Sequence, residues 1–202
     1  MDAGRSNQPS LMKNRTSVER RSERELVVTR TINAPPRIVF AAWTKAELFQ
    51  RWWVPKSIGL TLLSCELDVR VGGKYRLVFR HPAAPEPMAF HGRYLEVTPP
   101  SRLVWTNEEA GDNGQVTTVT CEERDGKTLL VMHELYPSKE ALDEAISSGS
   151  TSGNDETFNQ LEELLASATP LEQLLTALER QQGTGWHAQP AAMQAVTITK
   201  AS

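Results

Sequence analysis

The sequence predicts an α+β protein in which the helices are segregated from one meandering antiparallel sheet. Three observations support this class: a β-branched strand precedes two short helical segments, six extended segments then follow one another, and an amphipathic helix comes late in the chain. A strongly twisted sheet of about seven strands curls, so a helix laid across its mouth leaves space between sheet and helix. The sequence therefore points to an internal cavity as the place to look for function.

Length and charge limit what the chain can be. Its 202 residues and net charge of −3 are typical of one domain of ordinary size with some tail. No apolar run approaches the roughly 18 to 20 residues of a membrane span, and the N-terminus has no apolar stretch like a signal-peptide core. The slightly acidic balance argues against nucleic-acid binding, because phosphate attraction needs a concentrated basic face. We expect a cytoplasmic protein with no membrane and no nucleic-acid partner.

The first predicted elements are a strand and two short helices. Residues 26–32 have the β-branched content and length of a strand. Proline is tolerated in a first helical turn, so Pro36 is compatible with a short helix over residues 37–43. Thr44 and Glu47 have the spacing of a capping box, which predicts a second short helix through residue 50.

Six extended segments then follow, separated by turn residues. Gly72–Gly73 supplies positive φ, Pro99–Pro100 blocks continuation of a strand, and Asp125–Gly126 is a strong hairpin signal. With the first strand they make about seven strands in antiparallel succession. The six segments are residues 59–69, 74–80, 89–97, 102–106, 115–122 and 127–136.

The last helix of the domain is predicted to begin at a cap provided by Asn154 or Ser152 and to run to about residue 168. Its apolar residues recur at helical spacing and must cover the sheet. They are Phe158, Leu161, Leu164 and Leu165.

The two ends of the chain are predicted to lie outside this domain. Residues 1–22 carry several arginines and no hydrophobic periodicity, which predicts a flexible basic tail, and residues 23–168 form the domain. Residues 169–202 form an extension that starts with a short amphipathic helix. Its leucine stripe within residues 171–178 suits a protein partner, self-association or packing onto its own domain.

Motifs in a fixed order across the domain carry a family resemblance. Each is weak alone, but their spacing over roughly 145 residues makes the match fairly specific. The stretch from about Glu25 to Ala168 resembles the START-like, helix-grip superfamily, also called SRPBCC, and within it the branch of the heat-shock-protein-90 ATPase activator C-terminal domain. The motifs are Ile32–Asn33–Ala34–Pro35, Trp43, Trp52–Trp53–Val54–Pro55, Asp68–Val69–Arg70–Val71–Gly72–Gly73–Lys74–Tyr75, Phe90–His91–Gly92–Arg93–Tyr94, Pro99–Pro100–Ser101–Arg102–Leu103, Gly126–Lys127–Thr128 and His133.

The resemblance implies a curved antiparallel sheet that grips a C-terminal helix around a hydrophobic cavity. Family members bind lipids, polyketide-like or other aromatic small molecules, some relatives catalyse cyclisation, and a few stimulate a chaperone. The family's usual Gly-Trp pair at the start of the last helix is absent, because Gly153 is followed by Asn154.

Aromatic residues are numerous enough to line a cavity for an apolar, planar ligand. Two histidines, His91 and His133, lie on predicted strands, where alternation gives each an even chance of facing the cavity. An inward neutral imidazole would donate a hydrogen bond or move a proton. The predicted ligand-binding residues are Trp43, Trp53, Tyr75, Phe79, His91, Tyr94, Trp105, His133, Phe158 and Leu161.

Other chemistries lack support in the sequence. The histidines have no metal-ligand spacing, and neither Cys65 nor Cys121 belongs to a C-x-x-C motif, so no metal and no cofactor is predicted. No nucleophile elbow or phosphate-binding glycine motif is present, and no catalytic residue is assigned. Asp68 and Arg70 flank a turn and are predicted to stabilise it.

Three functions are compatible with these observations. The first is binding of a small hydrophobic or aromatic molecule, lipid- or polyketide-like, between sheet and helix. The second is a cyclase or hydrolase that uses His91, His133 or Tyr94 for proton transfer. The third is a chaperone-regulating interaction module. The first is favoured because the sequence supplies material for a pocket and no catalytic constellation.

Overall fold

The computed structural model describes residues 15–167, except residues 110, 112, 113 and 150. The leucine stripe and the rest of the C-terminal extension lie outside the described residues, as do residues 1–14. The elements, in chain order, are β1 (Ser17–Arg20), β2 (Glu25–Ile32), α1 (Pro36–Thr44), α2 (Ala46–Phe49), a 3-10 turn (Lys56–Ile58), β3 (Thr61–Leu67), β4 (Lys74–Arg80), β5 (Met88–Thr98), β6 (Arg102–Thr106), β7 (Val116–Arg124), β8 (Lys127–Leu135), α3 (Lys139–Ser147) and α4 (Asn154–Ala166).

The strands form one curved antiparallel sheet in the order β1-β2-β8-β7-β6-β5-β4-β3. The predicted α+β, helix-grip architecture is confirmed, with eight strands in the described part of the chain instead of about seven. Strands β3 to β8 pair with their neighbours in sequence, as a meander requires. The β7–β8 hairpin turns on Asp125 (φ 52°) and Gly126 (φ 76°), because a two-residue turn that matches strand twist needs positive φ at both positions.

The additional strand is β1. All four of its residues are exposed, and it pairs antiparallel with β2 from Ser17↔Thr29 to Arg20↔Leu26. It lacks the apolar alternation that identifies a half-buried strand, so sequence pattern predicted no strand there.

Two predicted helix starts are wrong in detail. Thr44 does not cap α2: its hydroxyl donates to the Phe40 carbonyl at 2.8 Å, and Lys45 occupies the cap position. Helix α4 begins after Gly153 without a side-chain cap, because the Ser152 hydroxyl donates to the Gly149 carbonyl and the Asn154 amide to the Thr151 carbonyl. In both cases the side chain binds a carbonyl of the preceding turn instead of the helix amides.

Helix α3 was not predicted. Ser138 caps it by accepting a hydrogen bond from the Ala141 amide at 3.2 Å. Only Leu142 is buried within the helix, where it packs with Leu26 and Tyr136. One buried position gives too little periodicity to identify a helix of this length.

The helices cover the inner face of the sheet. Helix α1 packs against β7, β8 and α4, and α4 packs against β2. Leu161 on α4 is fully buried in this layer, and the indole of the buried Trp52 donates to the Ala42 carbonyl at 3.0 Å. Beyond this packed region, sheet and helices separate.

Candidate functional site

A cavity of about 540 Å³, partly open to solvent, lies between the inner face of the sheet and the N-terminal part of α4. Strand β4 gives it Tyr75, Leu77 and Phe79, because alternate residues of a strand face the same side. Helix α4 gives it Thr157 and Phe158. The cavity is the space that the sheet curvature predicted.

Aromatic rings form one wall of the cavity. The Trp43 ring lies with its centroid 5.5 Å from that of Trp53 and 5.9 Å from that of Trp105. Phe49 stacks on Trp53 at 4.8 Å. The Trp43 indole nitrogen is buried and has no hydrogen-bond partner among the described residues. The rings present flat apolar surfaces suited to a planar ligand.

Tyr75 and Tyr94 line the other side of the cavity, with ring centroids 6.1 Å apart. The Tyr75 hydroxyl hydrogen-bonds with the Asn107 side-chain oxygen at 2.5 Å and the Thr106 carbonyl at 3.1 Å. The Tyr94 hydroxyl hydrogen-bonds to no described residue. Burial raises the pKa of both phenols, so both remain neutral at physiological pH.

The segment after α2 completes the cavity wall with Trp53, Val54, Pro55 and Ile58. Gln160 on α4 fixes this segment: its amide nitrogen donates to the Trp52 and Val54 carbonyls, both at 2.8 Å. Its amide oxygen accepts from the Lys56 amide at 3.1 Å. The buried amide therefore meets three backbone groups of the segment.

A second set of hydrogen bonds joins this segment to α4 at the protein surface. The Glu156 carboxylate accepts hydrogen bonds from the backbone amide and the hydroxyl of Ser57. These bonds hold the pKa of Glu156 below its usual value. Gly153 is also required here, because a Cβ at that position would lie 2.9 Å from the Pro55 ring.

Seven of the ten predicted ligand-binding residues line the cavity, and His91, His133 and Leu161 do not. The seven are Trp43, Trp53, Tyr75, Phe79, Tyr94, Trp105 and Phe158. That they contact a ligand remains a prediction. Residues of the α3–α4 loop and Asn107 also line the cavity, although no sequence pattern predicts them as ligand-binding.

The two histidines face away from the cavity. His91 is exposed on β5 and lies opposite Arg76 on β4. His133 on β8 is 32% exposed, and its ring nitrogen lies 3.1 Å from the Glu25 carboxylate on the outer face. Hydrogen bonds from Ser22 and His133 lower the pKa of Glu25. These imidazoles therefore do not converge with Tyr94 on one site.

The two cysteines and the Asp68–Arg70 pair lie in surroundings that favour a structural role. Burial raises the pKa of Cys65 to about 11 and that of Cys121 to about 12, so neither thiol forms a nucleophilic thiolate at neutral pH. Asp68 and Arg70 form an exposed ion pair at 2.9 Å. Among the residues that the structure describes, no three metal-binding side chains cluster, and no helix is long and apolar enough to cross a membrane.

A last helix held against a curved antiparallel sheet, with an apolar cavity between them, defines a START-like domain. Residues 33–166 match the family model described as activator of Hsp90 ATPase homolog 1-like protein. The chain therefore belongs to this family. No match was found among curated proteins.

Several solved structures share the fold. A crystal structure of a Rhodobacter sphaeroides protein is 24% identical, covering 76% of this chain and 99% of that chain with a TM-score of 0.69. A crystal structure of a Nitrosomonas europaea protein is 25% identical, with 74% and 98% coverage and a TM-score of 0.66. A solution structure of an AHSA1-like protein from Aeromonas hydrophila is 16% identical, with 71% and 94% coverage and a TM-score of 0.55.

Proposed function

We propose that the protein binds a small hydrophobic molecule, aromatic in character, in the cavity between the sheet and α4. The observation that carries the proposal is the cavity of about 540 Å³ with an aromatic wall. A ligand that loses a few hundred square ångströms of apolar surface gains several kcal/mol at about 25 cal/mol per Å² before entropy costs. Micromolar affinity is therefore expected.

Enzymatic catalysis has less support. A cyclase or hydrolase needs at least two polar groups that converge on the substrate. Of the groups considered for proton transfer, only Tyr94 lines the cavity, while His91 and His133 lie on the outer face. The proposed role is therefore binding. The chaperone-regulating alternative would act through the protein surface and the leucine stripe within residues 171–178, and that stripe lies outside the described residues.

Native mass spectrometry of the purified full-length chain tests the proposal, together with an NMR titration against apolar aromatic compounds. We expect co-purified mass or shifts confined to cavity residues. Leu77→Trp adds volume inside the cavity and is expected to abolish the shifts, whereas Leu95→Trp adds the same volume on an exposed position outside the cavity. Shifts that survive Leu77→Trp, or the absence of any shift in the native chain, would contradict the proposal.

A further inference from the structure

We propose that the Tyr94 hydroxyl is the polar anchor of the cavity and that the ligand is an uncharged molecule that places one hydrogen-bonding oxygen against it. This inference rests on the proposed binding function and adds the ligand's charge and polarity. It concerns a single side chain on β5, which lines the cavity and is 5% exposed.

The cavity lining carries no charged side chain among the described residues. None of the described residues that line the cavity is Asp, Glu, Lys, Arg or His. A carboxylate or phosphate brought into this space loses its hydration and meets no cation, and such burial of an unpaired charge is strongly unfavourable. The lining therefore selects against anionic ligands, including fatty acids in their ionised form.

The two tyrosines of the cavity differ in the hydrogen bonding of their hydroxyls. The Tyr75 hydroxyl is already occupied by Asn107 and Thr106. The Tyr94 hydroxyl has no partner among the described residues, and it is not one of the fully buried polar atoms without a partner, which include the Trp43 nitrogen. It is therefore able to hydrogen-bond with a group in the cavity. A hydroxyl that is removed from water is stabilised by a partner that replaces the lost hydrogen bond to water.

Tyr94 lies next to the aromatic wall of the cavity. Tyr94 on β5 pairs in register with Trp105 on β6, and Trp105 lies 5.9 Å from Trp43. A planar apolar ligand packed on these rings therefore lies beside Tyr94. One directional bond at this point fixes the orientation of a ligand that apolar contacts alone would leave free to rotate.

Three naphthalenes of nearly equal shape test the inference by isothermal titration calorimetry: 2-acetylnaphthalene, 2-ethylnaphthalene and 2-naphthoate. In the native chain we expect the ketone to bind and the carboxylate to bind at least tenfold more weakly. Tyr94→Phe is expected to weaken ketone binding about three- to tenfold while changing ethylnaphthalene binding less than twofold, because one neutral hydrogen bond is lost. Tyr75→Phe is the matched control, and it is expected to weaken both neutral compounds equally.

The outcomes separate the two proposals. If none of the three compounds binds the native chain, the proposed function itself is contradicted. If the neutral compounds bind but Tyr94→Phe weakens them equally, or if naphthoate binds as well as the ketone, hydrophobic binding stands and the Tyr94 anchor is wrong. The Tyr94 hydroxyl makes no hydrogen bond to a described residue, so Tyr94→Phe is expected to keep the native thermal midpoint, which circular dichroism checks.

Discussion

The guanidinium of Arg30 on β2 lies fully buried and donates to the carboxylate of Glu162 on α4 at 2.5 Å. Thr16, Asp155 and Asn159 supply further acceptors around the same guanidinium. The cluster therefore ties the residue before β1, the strand β2 and helix α4 together. It stabilises the helix that forms one side of the cavity.

Removing the Glu162 carboxylate is expected to destabilise the protein more than removing the Arg30 guanidinium. Glu162→Ala leaves the buried Arg30 cation without one of its carboxylate partners, which is expected to lower the free energy of unfolding by about 3 kcal/mol. Arg30→Met replaces the cation by an apolar side chain, and Glu162, 17% exposed, can still be hydrated, so a loss of roughly 1 kcal/mol is expected. Urea denaturation measures both values.

The control for this pair is Arg124→Met, which breaks an ion pair to Glu122 whose two side chains are each 59% exposed. Solvent screens an exposed pair of this kind, so little change in the free energy of unfolding is expected. A larger loss for Arg30→Met than for Glu162→Ala would show that the cluster does not act through compensation of a buried charge.

Gly92 on β5 is expected to tolerate no side chain. A Cβ there would lie 1.8 Å from the Thr106 carbonyl oxygen and 2.8 Å from the Tyr75 ring. Since the oxygen belongs to backbone, Gly92→Ala must separate β5 from β6 and displace the cavity wall, with a loss above about 4 kcal/mol. Gly126→Ala has free space but a φ of 76°, so it is expected to lose only about 1 kcal/mol. Equal thermal midpoints for the two variants would contradict this difference.

The meander was predictable because its signals are local. Asp125 and Gly126 adopt the positive φ values that their residue types favour, and Gly72 does the same at φ 79°. Alternation then assigns Tyr75 and Phe79 to one face of β4. Six of the seven predicted residues that line the cavity lie on strands or helices, where an apolar pattern places them, whereas Trp53 lies in the segment after α2.

What the sequence did not reveal depends on contacts between distant segments. Strand β1 buries no side chain, and its stability comes from pairing with β2 and from Arg20, which bonds to Asp143 at 2.6 Å on α3. Arg30 occupies the inward register of β2, where an apolar residue is the usual choice, and only the acceptors on α4 explain it. Likewise, the register of β5 and β8 turned both histidines outward, which one sequence does not determine.

Gln160 is expected to hold the segment at residues 52–56, which contributes to the cavity wall, in a fixed conformation. Gln160→Leu keeps the volume but leaves the buried Trp52 carbonyl and the partly buried Val54 carbonyl without their donor. A buried carbonyl without a donor costs about 1 to 3 kcal/mol. Amide hydrogen exchange in residues 52–58 is expected to accelerate more than exchange in β7. Glu163→Leu on the exposed side of α4 serves as control, and equal exchange in the two variants would argue against this role.

Glu134 is expected to give the stability of the fold a measurable pH dependence. It lies on the inner register of β8 opposite Leu26 and Thr117, and it accepts a hydrogen bond from the Tyr136 hydroxyl at 3.2 Å. Burial raises the pKa of Glu134 above its ordinary value of 4.5, so the folded chain holds this proton more strongly than the unfolded chain. The contribution of Glu134 to stability therefore falls as the pH rises from about 4 through its folded pKa.

Glu134→Gln removes this titration while keeping an oxygen that accepts from Tyr136. Relative to the native chain, the variant is expected to gain free energy of unfolding between pH 4 and pH 7, as measured by urea titrations at each pH. Glu122→Gln is expected to change stability with pH in the opposite direction, because hydrogen bonding to Arg124 lowers the pKa of Glu122. Ionised Glu122 stabilises the fold only above its ordinary pKa, so the variant loses stability relative to the native chain as the pH rises. The interpretation fails if the Glu134→Gln difference is independent of pH, since the gain then comes from packing and not from the buried carboxyl.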